Sequence, residues 1–247
     1  MSAEEVRRRE RAFYDERAAA ATPREPDEYD RALLDALGPI EGLRVLELGC
    51  GSGDLTAELV RAGAEVVAVD VSAGMVERAR GRAPEAEFVV AAVEETGLAP
   101  ESFDRAVGKW ILHHADVAGT ARELARLLRE GARGAFFENH DRNPLLRAAR
   151  RALWRAGRAH AVGTSDERPL SDDDIGALVD VFGRVELSYP GFYFFESLSR
   201  ALGHRAHPQL KGLDQAVWQR VPAARPYGYH VLIEFSRTAG RAPAPRP

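Results

Sequence analysis

Arg44-Val-Leu-Glu-Leu-Gly-Cys-Gly-Ser-Gly-Asp54, and the run Glu65-Val-Val-Ala-Val-Asp70 that follows it, decide how this chain folds. The apolar burst from Val45 to Leu48 is cut off by Gly49, Gly51 and Gly53, after which Asp54 to Arg61 can wind into a helix. A strand, a glycine loop, a helix and a second β-branched run in that order predict a parallel α/β sheet. Glycines at alternate positions let the backbone take positive φ and let a ligand approach where a Cβ would collide. The second strand ends on a carboxylate, Asp70, 17 residues after Gly53. In a parallel sheet that places an acceptor for ribose hydroxyls beside the loop.

The spacing selects among nucleoside ligands. A pyrophosphate turn requires G-x-G-x-x-G, whereas this loop reads Gly49-x-Gly51-x-Gly53 with Glu47 ahead of it. The loop is therefore wrong for NAD. Glu47-Leu-Gly-Cys-Gly-Ser-Gly53 with Asp70 resembles the cofactor loop of class I S-adenosylmethionine-dependent methyltransferases of the small-molecule type. The resemblance covers about Phe13 to Tyr189 and is most specific from Val45 to Leu128.

It implies an α/β fold, a Rossmann-like doubly wound sheet of seven strands with an antiparallel last strand in an α-β-α sandwich. It also implies S-adenosylmethionine as cofactor and S-adenosylhomocysteine as product. The cofactor residues it points to are Glu47, Gly49, Cys50, Gly51, Gly53, Asp70, Val71, Met75, Ala92, Val93 and Lys109. Val71 and Met75 would flank the adenine, although core packing asks for the same residue types. Family members commonly carry an acid at the position of Ala92 to accept from the adenine amino group, and losing that bond costs roughly 1 kcal/mol. Backbone near Val93, or Glu94, are the substitutes in reach.

Downstream, Asp104 precedes the fourth strand, and Lys109-Trp110-Ile111-Leu112-His113-His114 follows it, as is frequent in this family. A histidine there can take a proton from a hydroxyl, because its ordinary pKa lies near neutrality. The alternative is that His113 and His114 only shape the pocket. Thr120 to Leu128 reads as a helix closed by Glu130-Gly131, and Gly134 to Phe137 as a fifth strand delivering Glu138-Asn139-His140-Asp141 at its carboxyl end. Function concentrates at such strand ends. His140 is accordingly the first candidate for a base, with His113 and His114 behind it.

Ser2 to Ala21 reads as an amphipathic helix. By resemblance it covers the cofactor, with Tyr14 either at the pocket or simply packing. The substrate-side candidates are Tyr14, Trp110, Glu138, Asn139, Tyr193 and Phe194, the last two from the aromatic run Gly191 to Glu196. The organisation expected is one methyltransferase domain over 1–247, with a helical cover at 1–40, a lid insertion at about 141–170 and a second insertion at about 190–228. The arginines between Asn143 and Arg158 form a solvated face or one that attracts an anionic substrate or membrane surface. Ser171-Asp-Asp-Asp174 reads as a helix cap rather than a metal cluster. His204 and His207 lack a third ligand, so no metal is expected.

Composition bounds the rest. With 45% apolar and 29% charged residues the chain is of globular type. It has no run long enough to span a membrane and a charged beginning where a signal peptide would be apolar, so a cytoplasmic protein is expected. The lone Cys50 excludes an internal disulfide. A formal charge of −4 argues against nucleic acid as partner. The expected reaction is methyl transfer to oxygen, nitrogen or carbon of a small molecule of aromatic or lipophilic character. Its rival is a protein of the same fold that binds the cofactor without methyl transfer, as a cyclase, a decarboxylase or a binding module. Oligomeric state is not legible.

Overall fold

The computed structural model describes residues 3–155, 168–201 and 208–238. The chain begins with α1 (Ala3–Ala18) and α2 (Glu28–Leu37) and then alternates through β1 (Arg44–Leu48), α3 (Asp54–Arg61), β2 (Glu65–Asp70), α4 (Ala73–Arg82) and β3 (Glu87–Val90). β4 (Phe103–Lys109), α5 (Val117–Leu127) and β5 (Leu128–Asn139) follow, then α6 (Pro144–Arg155), α7 (Asp172–Phe182), β6 (Val185–Ser188), α8 (Phe194–Ala201), α9 (Pro208–Arg220) and β7 (His230–Ser236). The seven strands form one sheet in the order β3-β2-β1-β4-β5-β7-β6. β1 to β5 run parallel and β7 runs antiparallel to both β5 and β6, as the family resemblance implied.

Alternation along the strands divides the core between the two faces. Leu46, Leu48, Val67, Val69 and Phe136 pack with Leu124 of α5 and Leu178 of α7. Val45, Val66, Ala68, Val107 and Phe137 pack with Leu33 and Leu37 of α2 and Leu55 and Leu59 of α3. Strands buried on both faces have to read as continuous apolar runs, which is how β1 and β2 stand in the sequence. Leu48 pairs with Val69 on one side and Gly108 on the other. The glycine loop, Asp70 and Lys109 therefore leave the sheet along one edge, where the order turns from β1 to β4.

Caps position the helices around that edge. Ser72 accepts from Met75 N at 3.1 Å to start α4, and Ser171 with Asp174 forms a capping box on α7, so the acid run caps as expected. The Asp15 carboxylate of α1 accepts from Ser72 Oγ at 2.5 Å and Gly74 N at 3.1 Å. An anion at the start of α4 is favoured by the helix dipole. Arg78 of α4 donates to Ala19 O at 2.6 Å, and α1 is thereby fastened over the carboxyl edge of β2.

One expectation is corrected. Glu130-Gly131 does not close a helix: α5 ends at Leu127, and Leu128, fully buried, already pairs with Phe103. The register then slips before Arg105↔Arg133, and Gly131, at φ 78°, lies in that irregular part of β5 and donates to Arg237 O. The stretch after Pro190, read from the sequence only as an insertion, contains the helices α8 and α9. Asp214 of α9 holds the first turn of α8 by accepting from Phe194 N and Phe195 N, each at 2.9 Å. Residues 156–167, His204, His207 and the tail from 239 lie outside the described residues. No described helix is long and apolar enough to cross a membrane.

Candidate active site

The loop after β1 owes its shape to glycine. A Cβ on Gly53, at φ 84°, would sit 2.8 Å from Ala79 Cα, so α3 and α4 approach there as closely as backbone allows. Gly51, at φ 51°, has the opposite surroundings: a Cβ on it would meet nothing within 4 Å. That open space belongs to a cavity of about 340 Å³ over the carboxyl ends of β1 to β4. Gly51 N donates to Asp70 Oδ2 and Ser72 N to Asp70 Oδ1, both at 2.9 Å. Asp70 is thus locked at the cavity wall, and each oxygen keeps a lone pair for a ligand hydroxyl. Burial pushes its pKa up, against the backbone donors of Ser72, Gly51 and Val71.

Of the expected cofactor residues, Gly49, Gly51, Asp70, Val71, Met75, Ala92, Val93 and Lys109 line the cavity. Glu47, Cys50 and Gly53 are not among the lining residues. Glu47 is 2% exposed and accepts from Thr56 Oγ1 at 2.6 Å. Burial pushes its carboxyl up to about 8, with Thr56 and Lys109 pulling the other way. Cys50 packs in the core beside α2 and α3, and burial raises its thiol well above the ordinary value, which makes it inert at neutral pH. Lys109 is committed to α2, with Nζ 2.5 Å from Asp30 Oδ1. Burial alone would raise the Asp30 pKa, but Arg24 and Lys109 hold that carboxylate well below its usual range.

His114 also lines the cavity, on a 3-10 turn, Leu112–His114. Its Nε2 lies 3.2 Å from Tyr14 OH and its Nδ1 3.2 Å from Glu10 Oε2, both on α1. Glu10, Tyr14 and His114 all line the cavity. Trp110 adds a wall at φ 58°, an uncommon conformation for a bulky residue. Trp110 N donates to Phe137 O at 2.9 Å, and its ring packs against Tyr29 and His230.

The other candidates do not reach the cavity. His113 and Glu138 form a buried pair, Nδ1 to Oε2 at 2.6 Å, beneath the turn. His140 is 1% exposed, with Nε2 3.4 Å from Asp172 Oδ1 under the start of α7, and burial lowers its pKa. The reason is the length of β5: it continues through Asn139, so residue 140 passes into a bridge with Leu170. Asn139 spends its backbone in that pairing, its carbonyl accepting from Leu170 N. Tyr193 donates to Glu28 Oε1 at 2.8 Å and packs on Tyr29 and His230, while Phe194 opens α8.

Sequence reasoning missed Arg7, Glu10, Ser52, Ile111 and Ala115, which line the cavity too. A signal existed for two of them. Arg7 and Glu10 stand seven and four residues before Tyr14, on the same helical face. Among the described residues no group of three or more His, Cys, Asp or Glu could hold a metal ion.

Residues 46–136 match the methyltransferase domain family. An uncharacterized methyltransferase of Mycobacterium bovis is 35% identical over 125 residues, which is 50% of this chain and 51% of that protein. The chain thus matches about half the length of that curated relative. Geranyl diphosphate C-methyltransferase from Streptomyces coelicolor, solved with S-adenosyl-L-homocysteine, superposes with a TM-score of 0.60 at 15% identity, covering 85% of this chain and 78% of that one. The [4+2]-cyclase SpnF superposes with a TM-score of 0.62 at 18% identity, covering 93% and 95%. Residues 46–136 are a methyltransferase domain, and the chain around them has the fold of the class I S-adenosylmethionine-dependent methyltransferases.

Proposed function

We propose that this chain transfers the methyl group of S-adenosylmethionine to a small molecule, and that His114 receives the proton which the acceptor gives up. The observation that carries the reading is that Gly51, Asp70, His114 and Tyr14 all line a single cavity.

The residues present suit the cofactor. Asp70 retains acceptor capacity for ribose hydroxyls, Gly51 leaves room for close approach, and Val71, Met75 and Val93 offer apolar walls to a flat base. Three lining carboxylates, Glu10, Asp70 and Glu94, face two lining cations, Arg7 and Lys109, and Asp30 answers Lys109 from behind. A cavity of that balance favours a cationic ligand. When bound, the cofactor supplies an electrophilic methyl group on a sulfonium.

The chain's own work is then positioning and proton transfer. Glu10 Oε2 lies 3.2 Å from His114 Nδ1 without hydrogen-bond geometry, so it acts on the ring through its charge, and Nε2 is the nitrogen assigned here as proton acceptor. Tyr14 OH lies against Nε2 in this arrangement, and an acceptor O–H or N–H entering the cavity takes its place as donor. Glu10 would stabilise the imidazolium that results. Holding the nucleophile in line supplies much of the remaining acceleration. In this reading α1 and α2 are the cover, and 141–170 and 190–228 are insertions on the acceptor side of one methyltransferase unit.

The test is incubation with S-adenosylmethionine carrying a deuterated methyl group and a small-molecule extract, followed by mass spectrometry. A product that carries the intact label, and that requires the protein, is expected. Consumption of a compound without gain of label, at saturating cofactor, would replace this reading with a cyclase or decarboxylase type of chemistry on the same fold.

A further inference from the structure

The end of the cavity over β3 raises a chemical question of its own. An adenine ring there presents an amino group with two donor hydrogens, and a donor buried without an acceptor is costly. The lining there includes Val71, Met75, Ala92 and Val93, none with an oxygen or nitrogen acceptor on its side chain. The carbonyl of Ala92 already accepts from Glu95 N at 3.1 Å in the turn that follows β3, which leaves it at most one further lone pair. Glu94, at the tip of that turn, lines the same end. Asp116 N donates to Glu94 Oε1 at 2.9 Å, which fixes the carboxylate and makes Oε2 the acceptor available to a donor in the cavity. Room for this arrangement comes from Gly119, where a Cβ would lie 2.7 Å from Asp116 Oδ2 and 3.3 Å from Glu94 Cγ.

From this geometry we infer that Glu94 is the residue that reads the adenine amino group, and so sets the base specificity of the cofactor site. The inference rests on the cofactor reading above. Its chemistry is discriminating: a carboxylate accepts from the amino group of adenine and repels the carbonyl oxygen that hypoxanthine carries at the same place. In Glu94→Gln, Asp116 N still demands an oxygen, so the amide nitrogen takes the place of Oε2 and becomes a donor.

Calorimetry with S-adenosylhomocysteine and with its deaminated analogue, S-inosylhomocysteine, tests the assignment without any acceptor. The wild-type protein is expected to prefer the adenine ligand by about tenfold or more, the worth of one hydrogen bond to a charged acceptor. Glu94→Gln should weaken S-adenosylhomocysteine about tenfold and reverse the preference in favour of the inosyl ligand. Equal affinity of the wild-type protein for the two ligands overturns the assignment with no variant needed. So does an equal loss for both ligands in Glu94→Gln, which would mean that Glu94 only supports the start of α5. Failure of the wild-type protein to bind either ligand overturns the cofactor reading itself, a result distinct from both.

Discussion

Glu138 holds His113 at 2.6 Å through Oε2, and with Oε1 it accepts from Ile111 N at 2.8 Å and Leu112 N at 2.7 Å. One buried carboxylate thereby fixes the turn on which His114 stands, and the His113 and His114 rings lie 4.2 Å apart, tilted by 38°. Replacing Glu138 by Ala strips a buried imidazole and two backbone N–H groups of their acceptor. The expected loss of stability is about 3–5 kcal/mol, the cost of several buried donors left without an acceptor. Glu138→Gln keeps one acceptor oxygen and should lose less. Denaturant unfolding measures both, and a loss below about 1 kcal/mol for the Ala variant would show that the turn does not depend on this carboxylate.

His114 and His140 should separate cleanly in kinetics. His114→Gln removes the proposed base and should lower kcat about 10²–10⁴-fold, the usual worth of positioned proton transfer, with little change in S-adenosylhomocysteine affinity. His140→Gln lies behind β5 against Asp172, outside the cavity, and kcat should stay within a few-fold of wild type. The opposite ranking, measured with the labelled cofactor, would return the role to His140.

The contrast between these two histidines also shows what the sequence makes legible. The cofactor end is local: two apolar runs, glycines at alternate positions and a carboxylate at a strand end lie within Val45 to Asp70. Backbone sterics and strand periodicity suffice to read them. His114 is likewise only five residues beyond the end of β4. The partners of His114 are not local, since Tyr14 is 100 residues away and Glu10 reaches Nδ1 only because Asp15 fastens α1 to α4. His140 misleads for a related reason. A strand-end position is functional only if the strand stops at the sheet edge, and β5 runs on to meet Leu170.

Stability should depend on pH through Glu47. Its carboxyl is pushed up to about 8 in the folded protein, against about 4.3 for an unperturbed glutamate. The unfolded chain therefore ionises first, and the stability that the neutral buried form contributes is complete below about pH 4 and lost as pH rises through about 8. Glu47→Gln, neutral throughout, should match the wild-type protein near pH 4, exceed it in Tm increasingly up to about pH 8 and keep a constant margin above that. Thermal unfolding of both proteins across that range checks the sign. A gap that does not widen would mean that the buried carboxyl stays ionised.

Gly51 tests the loop directly. At φ 51° it sits where a side chain is strained, and a Cβ there opens onto the cavity rather than onto protein. Gly51→Val should therefore abolish or severely weaken S-adenosylhomocysteine binding, while costing stability only about 1–3 kcal/mol of backbone strain. Asp70→Ala acts on the same site from the other side. It removes the acceptor of Gly51 N and Ser72 N and the carboxylate that faces the ribose, so binding should fall at least as far as one charged hydrogen bond allows, about tenfold or more. Calorimetry gives the affinities, and circular dichroism shows whether the fold persists. Unchanged affinity in both variants, with the fold intact, would mean that the cavity over β1 and β2 is not where the cofactor binds.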